Sequence, residues 1–303
     1  MQLINEKIKF WLGVLKNASG IWLENNAFAM AGSLAFFTLF SIAPVMIVIV
    51  GIIGLFFGEE AAQGQVVLQL QETIGLQAAE AVQSAVARSQ MSEGGIFATI
   101  AGVLAMIIGA TTVFAQMQNS LNAIWNVRSH PSRNGIKAFI QQRLTSLTLV
   151  ITVGFVMLVS LSLSVGLRSM LGHVAGWLPW YTLVFSGLEF VLSLLITSAL
   201  FAAIFCVLPD MRLKWRDVAL GAVVTALLFT LGRFLIALYL AYTATASTFG
   251  AAGSVVLLLL WVNYSSLILL FGAAFTRAHL EAKGRNIPPS RSAIRVRHQI
   301  VEE

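Results

Sequence analysis

NNAFAMAGSLAFFTLFSIAPVMIVIVGIIGLFFG, residues 25–58, runs for 34 positions without a charged side chain. A helix needs about 20 apolar residues to cross the hydrocarbon core of a bilayer, so this stretch is long enough to span. Two more charge-free runs follow, between Glu93 and Arg128 and between Arg233 and Arg277. The whole chain of 303 residues is 58% hydrophobic and 11% charged, with a mean hydropathy of +0.84. A soluble domain carries about 25% charged residues, so a soluble globular protein is excluded.

The expected fold is all-α: a bundle of six transmembrane helices at about 29–57, 95–122, 144–167, 187–208, 218–242 and 253–276. Residues 1–283 form one membrane domain. In the first external segment, 58–93, Val67, Leu70, Ile74, Ala78, Val82 and Val86 fall near helical spacing. That spacing predicts one or two amphipathic helices over the outer face, as packing or as a lid. At the N-terminus Ile4, Ile8, Trp11 and Leu15 share one face with Asn5, Lys9 and Lys16 opposite. This reads as an amphipathic helix on the membrane surface, or as a short cytoplasmic helix packed on the bundle. Lys7, Lys9 and Lys16 interrupt any signal-peptide core, so no cleavable leader is expected. The basic stretch 284–303, with Pro288 and Pro289, predicts a disordered cytoplasmic tail able to meet anionic lipid headgroups.

Of 19 Lys and Arg residues, sixteen lie on the side of both termini, two lie in the opposite connections, and Arg233 lies within a helix. The positive-inside rule then places both termini in the cytoplasm. It also accounts for the net charge of +6 without a specific nucleic-acid partner. Cys206 is the single cysteine, which excludes an intrachain disulfide and reads as a small buried hydrophobe.

Within the helices, Pro44 predicts a kink, with Thr38 and Ser41 near enough to satisfy freed carbonyls. Ala101, Ala105 and Gly109 form a small-residue stripe for close helix approach. Thr112, Gln116 and Asn119 share a polar face, and Asn263 needs a hydrogen-bond partner at its depth. Glu189 and Arg233 are costly in hydrocarbon. They are expected to pair or to line a watery cavity, with a structural ion pair or outward snorkelling as the alternatives. Glu189, Arg233, Asn263, Gln116 and Asn119 are therefore the candidate cavity or ion-pair residues. His130, His173, His279 and His298 lack metal-ligand spacing, and no Walker A or GxSxG sequence occurs. No catalytic residue, metal or cofactor is assigned, and a non-enzyme is expected.

Four segments in order carry a family resemblance: AFFTLFSIAPVMIVIVGIIGLFFGEEAAQG from Ala35, VFAQMQNSLNAIWNV from Val113, LPDMRLKWRDVALGAVVTALLF from Leu208, and FGAAGSVVLLLLWVNYSSLILLFGAAFTR from Phe249. Together they resemble the BrkB/YihY family of bacterial inner-membrane proteins, once labelled ribonuclease BN. The resemblance implies six spanning helices, cytoplasmic termini and a role in envelope integrity or transport. Phe36, Phe37, Phe249, Leu267 and Ala274 stand where relatives usually carry polar groups or a different motif. The functional expectation is a transport-like role for a lipid or small amphiphile, the alternative a structural scaffold. Ribonuclease activity is not expected, because the clustered His and Asp ligands of a metal nuclease are missing.

Overall fold

The computed structural model describes residues 2–57, 68, 71, 79–80, 83, 96–130, 181–242, 251–290 and 293–296, with single positions and short pieces between 140 and 163. Its elements in chain order are α1 (Gln2–Glu24), α2 (Ala27–Phe57), α3 (Ile96–Ile124), β1 (Val127–Ser129), α4 (Tyr181–Val207), α5 (Trp215–Tyr242), α6 (Ala251–Ala282) and β2 (Ala293–Arg295). Stretches Gly187–Val207, Trp215–Ile236 and Val255–Ala282 are long and apolar enough to cross a membrane. A fourth span is reached if Asn5–Glu24 and Ala27–Ile42, bent by 62°, count as one. The described residues thus supply three or four candidate spans where six were expected. The helix expected at 144–167 and the segment 58–93 lie largely outside the described residues.

Central to the bundle is α6, which packs against α1, α2, α5 and, more lightly, α3. α2 packs on α3, and α4 and α5 form an antiparallel hairpin through 208–214. The main core gathers Leu121, Ile124, Phe205, Leu208 and Leu270, all nearly inaccessible. A smaller core joins Met46, Ile49, Val50 and Ile53 of α2 to Leu258 of α6. Large apolar side chains such as Phe190, Leu195, Leu231, Phe234 and Leu260 are exposed along the helices, the surface that lipid solvates.

The chain turns between α1 and α2 on Asn26, whose φ of 52° is left-handed. Asparagine is the residue other than glycine that best tolerates this helix-ending conformation. Beyond the corner, α1 runs antiparallel along α6. Trp11 stacks on His279 with ring centroids 5.3 Å apart, and Trp22 Nε1 donates to the Leu267 carbonyl at 3.2 Å. Val14, Ala18 and Ile21 are buried in this contact, while Ile8, Leu12 and Leu15 on the adjoining face stay exposed.

The tightest helix crossing comes from one repeated pattern, GAVVT at 221–225 and GAAFT at 272–276. Thr225 Oγ1 donates to the Gly221 carbonyl and Thr276 Oγ1 to the Gly272 carbonyl, at 2.6 and 2.7 Å. Each threonine sits over the other helix's glycine: a Cβ built at Gly221 overlaps the Thr276 hydroxyl, and one at Gly272 overlaps that of Thr225. The antiparallel helices lock reciprocally, because only a hydrogen atom fits beneath each hydroxyl. Eleven residues along, Gly232 gives the same room to the Tyr264 ring.

Of the expected small-residue stripe, Gly109 of α3 meets Pro44, a Cβ built there coming 2.9 Å from Pro44 Cγ; the side chains of Ala101 and Ala105 lie outside the described ones. The neighbouring hydroxyls differ from expectation. Thr38 donates to the Leu34 carbonyl at 2.7 Å, and Ser41 Oγ is buried without a partner among the described residues. Thr38 thus back-bonds to its own preceding turn, the ordinary option for a helical threonine. Cys206 is half-buried and its thiol donates to the Leu213 carbonyl at 3.2 Å.

The expectation of a disordered tail is corrected over 284–290 and 293–296, the part of it among the described residues. Gly284 ends α6 with a φ of 69°, its N–H donating to Glu281 and the next to Leu280, which is a Schellman cap. β2 pairs antiparallel with β1, Val127 opposite Arg295 and Ser129 opposite Ala293. Pro288 and Pro289 do not loosen the segment. The Pro288 carbonyl accepts from Arg212 N, and Met211 bridges to Pro289. Proline lacks a donor but keeps its acceptor, and the acceptor is what this pairing uses.

Candidate functional site

Three of the residues singled out in the spans, Glu189, Arg233 and Asn263, fall on one level of the bundle. Glu189 is eighteen positions before the end of α4 and Arg233 eighteen after the start of α5. Both therefore stand about 27 Å from the 208–214 connection, at 1.5 Å per residue. The Gly232 and Tyr264 contact brings Asn263 and Tyr264 of α6 to this same level. Near one end of a hydrocarbon core about 30 Å thick, such a level meets the headgroup boundary.

Glu189 and Arg233 are level but form no salt bridge with each other; the ion pairs among the described residues are Arg277 with Glu281 and Arg285 with Asp217. Glu189 is exposed and engaged elsewhere. Arg233 is half-buried, and no ion-pair partner for it occurs among the described residues. Asn263 is also half-buried, its Nδ2 lying 3.9 Å from a Cβ built on Gly32 of α2.

On α3, Gln116 is half-buried and Asn119 exposed. The polar residue that anchors this helix lies beside that face. Asn122 is buried, and its Nδ2 donates to Asp210 Oδ2 at 2.9 Å while its Oδ1 accepts from Asp210 N at 2.7 Å. A carboxamide has one acceptor and one donor group on adjacent atoms, so a single side chain closes this ring against the α4–α5 connection. Asn122 follows Asn119 by three positions on the helix, a spacing that does not reveal Asp210, 88 positions away.

The connection end of the bundle carries a cleft of about 420 Å³ lined by Arg277, Arg285, Arg295, Asn126, Asn286 and Glu281, among others. Arg277 Nε donates to Glu281 at 2.8 Å and its NH1 to the Ile124 carbonyl at 2.6 Å. The guanidinium thus satisfies an orphan carbonyl where α3 ends, a position that also favours a cation. Arg285 pairs with Asp217, whose other oxygen accepts from Lys214 N at 3.1 Å, the carboxylate half of a capping box at the start of α5. Asp217 is 3% exposed and Arg285 50%. Arg295 donates to Asn286 Oδ1 and to the Ile287 carbonyl, both at 2.9 Å. These three arginines are visible in sequence only as orientation charges, because their acceptors come from α3, α5 and the returning tail.

The family profile described as Virulence factor BrkB matches residues 19–294. A UPF0761 membrane protein of Mannheimia succiniciproducens is 28% identical over 264 residues, covering 84% of each chain. One of Alteromonas mediterranea is 29% identical over 276 residues, covering 86% of this chain and 87% of its own. A third, of Saccharophagus degradans, is 28% identical over 269 residues; the match takes 86% of this chain but 58% of that longer relative. No solved structure matches the chain. With the profile extending from the end of α1 through the cleft to β2, this chain is a membrane protein of the BrkB/YihY family.

Proposed function

We propose that the chain is a non-enzymatic, transport-like protein of the inner membrane, with both termini cytoplasmic, that handles an anionic lipid or amphiphile. The observation that carries this reading is the polar level around α6: Arg233 half-buried without an ion-pair partner among the described residues, beside Tyr264 and Asn263. A guanidinium at the edge of hydrocarbon is stable only with water or an anion beside it. An amphiphile presents both an anion for Arg233 and a chain for the exposed apolar helix faces. The orientation rests on the basic residues that gather at the connection end.

A scaffold role is the second reading, favoured by the Asn122 and Asp210 ring, which spends polar groups on holding helices together. Mass spectrometry of lipids and small molecules co-purifying with the folded wild type and with the Arg233→Leu, Glu189→Gln variant separates the two. Enrichment of one anionic amphiphile over bulk membrane, lost in the variant, is the expected result. Equal profiles from two well-folded proteins would overturn the handling role in favour of the scaffold.

A further inference from the structure

The cleft at the connection end holds more guanidinium than its own hydrogen bonds use. Each arginine presents five N–H donors. Arg277 uses two on Glu281 and the Ile124 carbonyl, Arg285 one on Asp217, and Arg295 two on Asn286 and the Ile287 carbonyl. With its amide turned to suit its neighbours, Asn126 accepts one more from Arg277 at 3.2 Å. More than half of the fifteen donors have no partner among the described residues. Glu281 and Asp217 balance two of the three charges, so the site is net positive.

Helix capping accounts for one donor of Arg277 and for none of Arg285 or Arg295. The other contacts anchor each guanidinium while leaving its remaining edge unused. Three separate segments are folded back to achieve this: the end of α3, the Schellman cap of α6, and β2. An anchored, planar fork of donors is the geometry that binds phosphate oxygens in pairs. A volume of about 420 Å³ also exceeds what one phosphate group fills, leaving space for a substituent on it.

We propose that this cleft is a binding site for a phosphate-bearing ligand, held by Arg277, Arg285 and Arg295. It stands apart from the reading given to Arg233, which lies at the other end of α5. The same chemistry is offered by a free phosphate compound and by the headgroup of an anionic phospholipid, and the two sources are separable by experiment.

The full chain, purified in neutral detergent, is titrated with inorganic pyrophosphate by calorimetry. In parallel it is reconstituted in phosphatidylcholine nanodiscs containing phosphatidylglycerol, and bound lipid is counted by native mass spectrometry. Arg295→Gln removes one anchored fork, and binding weakens about tenfold. Glu281→Gln removes the carboxylate that lines the cleft, and binding tightens about tenfold, since a like charge is withdrawn from the ligand's surroundings. A gain of affinity does not come from misfolding, so the second variant stands whether or not the first is well folded. Pyrophosphate binding with both variant effects assigns a free phosphate compound. Phosphatidylglycerol retention with both effects, and no pyrophosphate heat, assigns a lipid headgroup. If neither probe binds, or Glu281→Gln leaves affinity unchanged, the arginines serve only to hold the folded chain together and the proposal is overturned.

Discussion

Replacing Gly221 by Ala places a methyl group against the Thr276 hydroxyl. That hydroxyl does not swing aside freely, because it donates to the Gly272 carbonyl at 2.7 Å. Overpacking of this kind costs about 1–3 kcal/mol, and breaking the hydroxyl's bond adds about 1 kcal/mol. Alanine in place of glycine returns about 1 kcal/mol of helix propensity. The expected net loss is about 2 kcal/mol, or roughly 3 °C in the unfolding midpoint of a chain of 303 residues. Thr276→Ala alone loses the hydroxyl and is mildly destabilising. In the Gly221→Ala background its sign reverses. With the hydroxyl gone, the nearest atoms to the new methyl are Thr276 Cβ at 3.1 Å and the Gly272 carbonyl at 3.2 Å, which a shift of a few tenths of an ångström relieves. The double variant is therefore more stable than Gly221→Ala. Thermal unfolding in mild detergent, followed by tryptophan fluorescence with gel filtration as a check, measures all four corners of this cycle. Strictly additive losses would refute the steric interlock.

Three further outcomes follow from the same contacts. Asn122→Ala breaks both hydrogen bonds to Asp210 and leaves a carboxylate short of a donor, lowering stability by about 2–3 kcal/mol in the same melting assay; a neutral variant would show that the ring contributes nothing. Trp22→Phe keeps most of the packing on α6 but loses the bond to the Leu267 carbonyl, so a loss of about 1 kcal/mol is expected, and one above 3 kcal/mol would point to a packing defect instead. Arg285→Gln strips the buried Asp217 carboxylate of its cation. Because Arg285 is half exposed the expected cost is only about 1–2 kcal/mol, it shrinks in high salt, and a salt-independent loss would contradict an electrostatic origin.

The apolar helices were legible because lipid, as a solvent, demands long uncharged runs, and 25–58, 94–127 and 234–276 meet that demand locally. The polar architecture of the connection end was not legible. Asn122 and Asp210, Arg277 and Ile124, and Arg285 and Asp217 are separated by 88, 153 and 68 positions, and no periodicity encodes such partners. Composition also misread the tail: charge with two prolines lowers the apolar gain from folding, but pairing with β1 and Arg212 makes use of backbone acceptors that composition does not count. Glu189 and Arg233 illustrate a different limit. Both stand eighteen positions from the α4–α5 connection, yet position along a helix does not fix which face a side chain occupies.

The returning tail sets an order of events for the growing chain. The carbonyls of Asn126 and Asp210 wait for the N–H groups of Val296 and Ser290, and Asp217 waits for Arg285. All of these partners come later in the chain than the helices whose ends they complete. Helices α2 to α5 therefore enter the membrane with their connection ends unfinished, and water or lipid headgroups stand in for the missing donors. Only when synthesis has passed residue 296 can the segment after α6 clasp α3 and the α4–α5 hairpin together, so this face closes after all of these helices have been made.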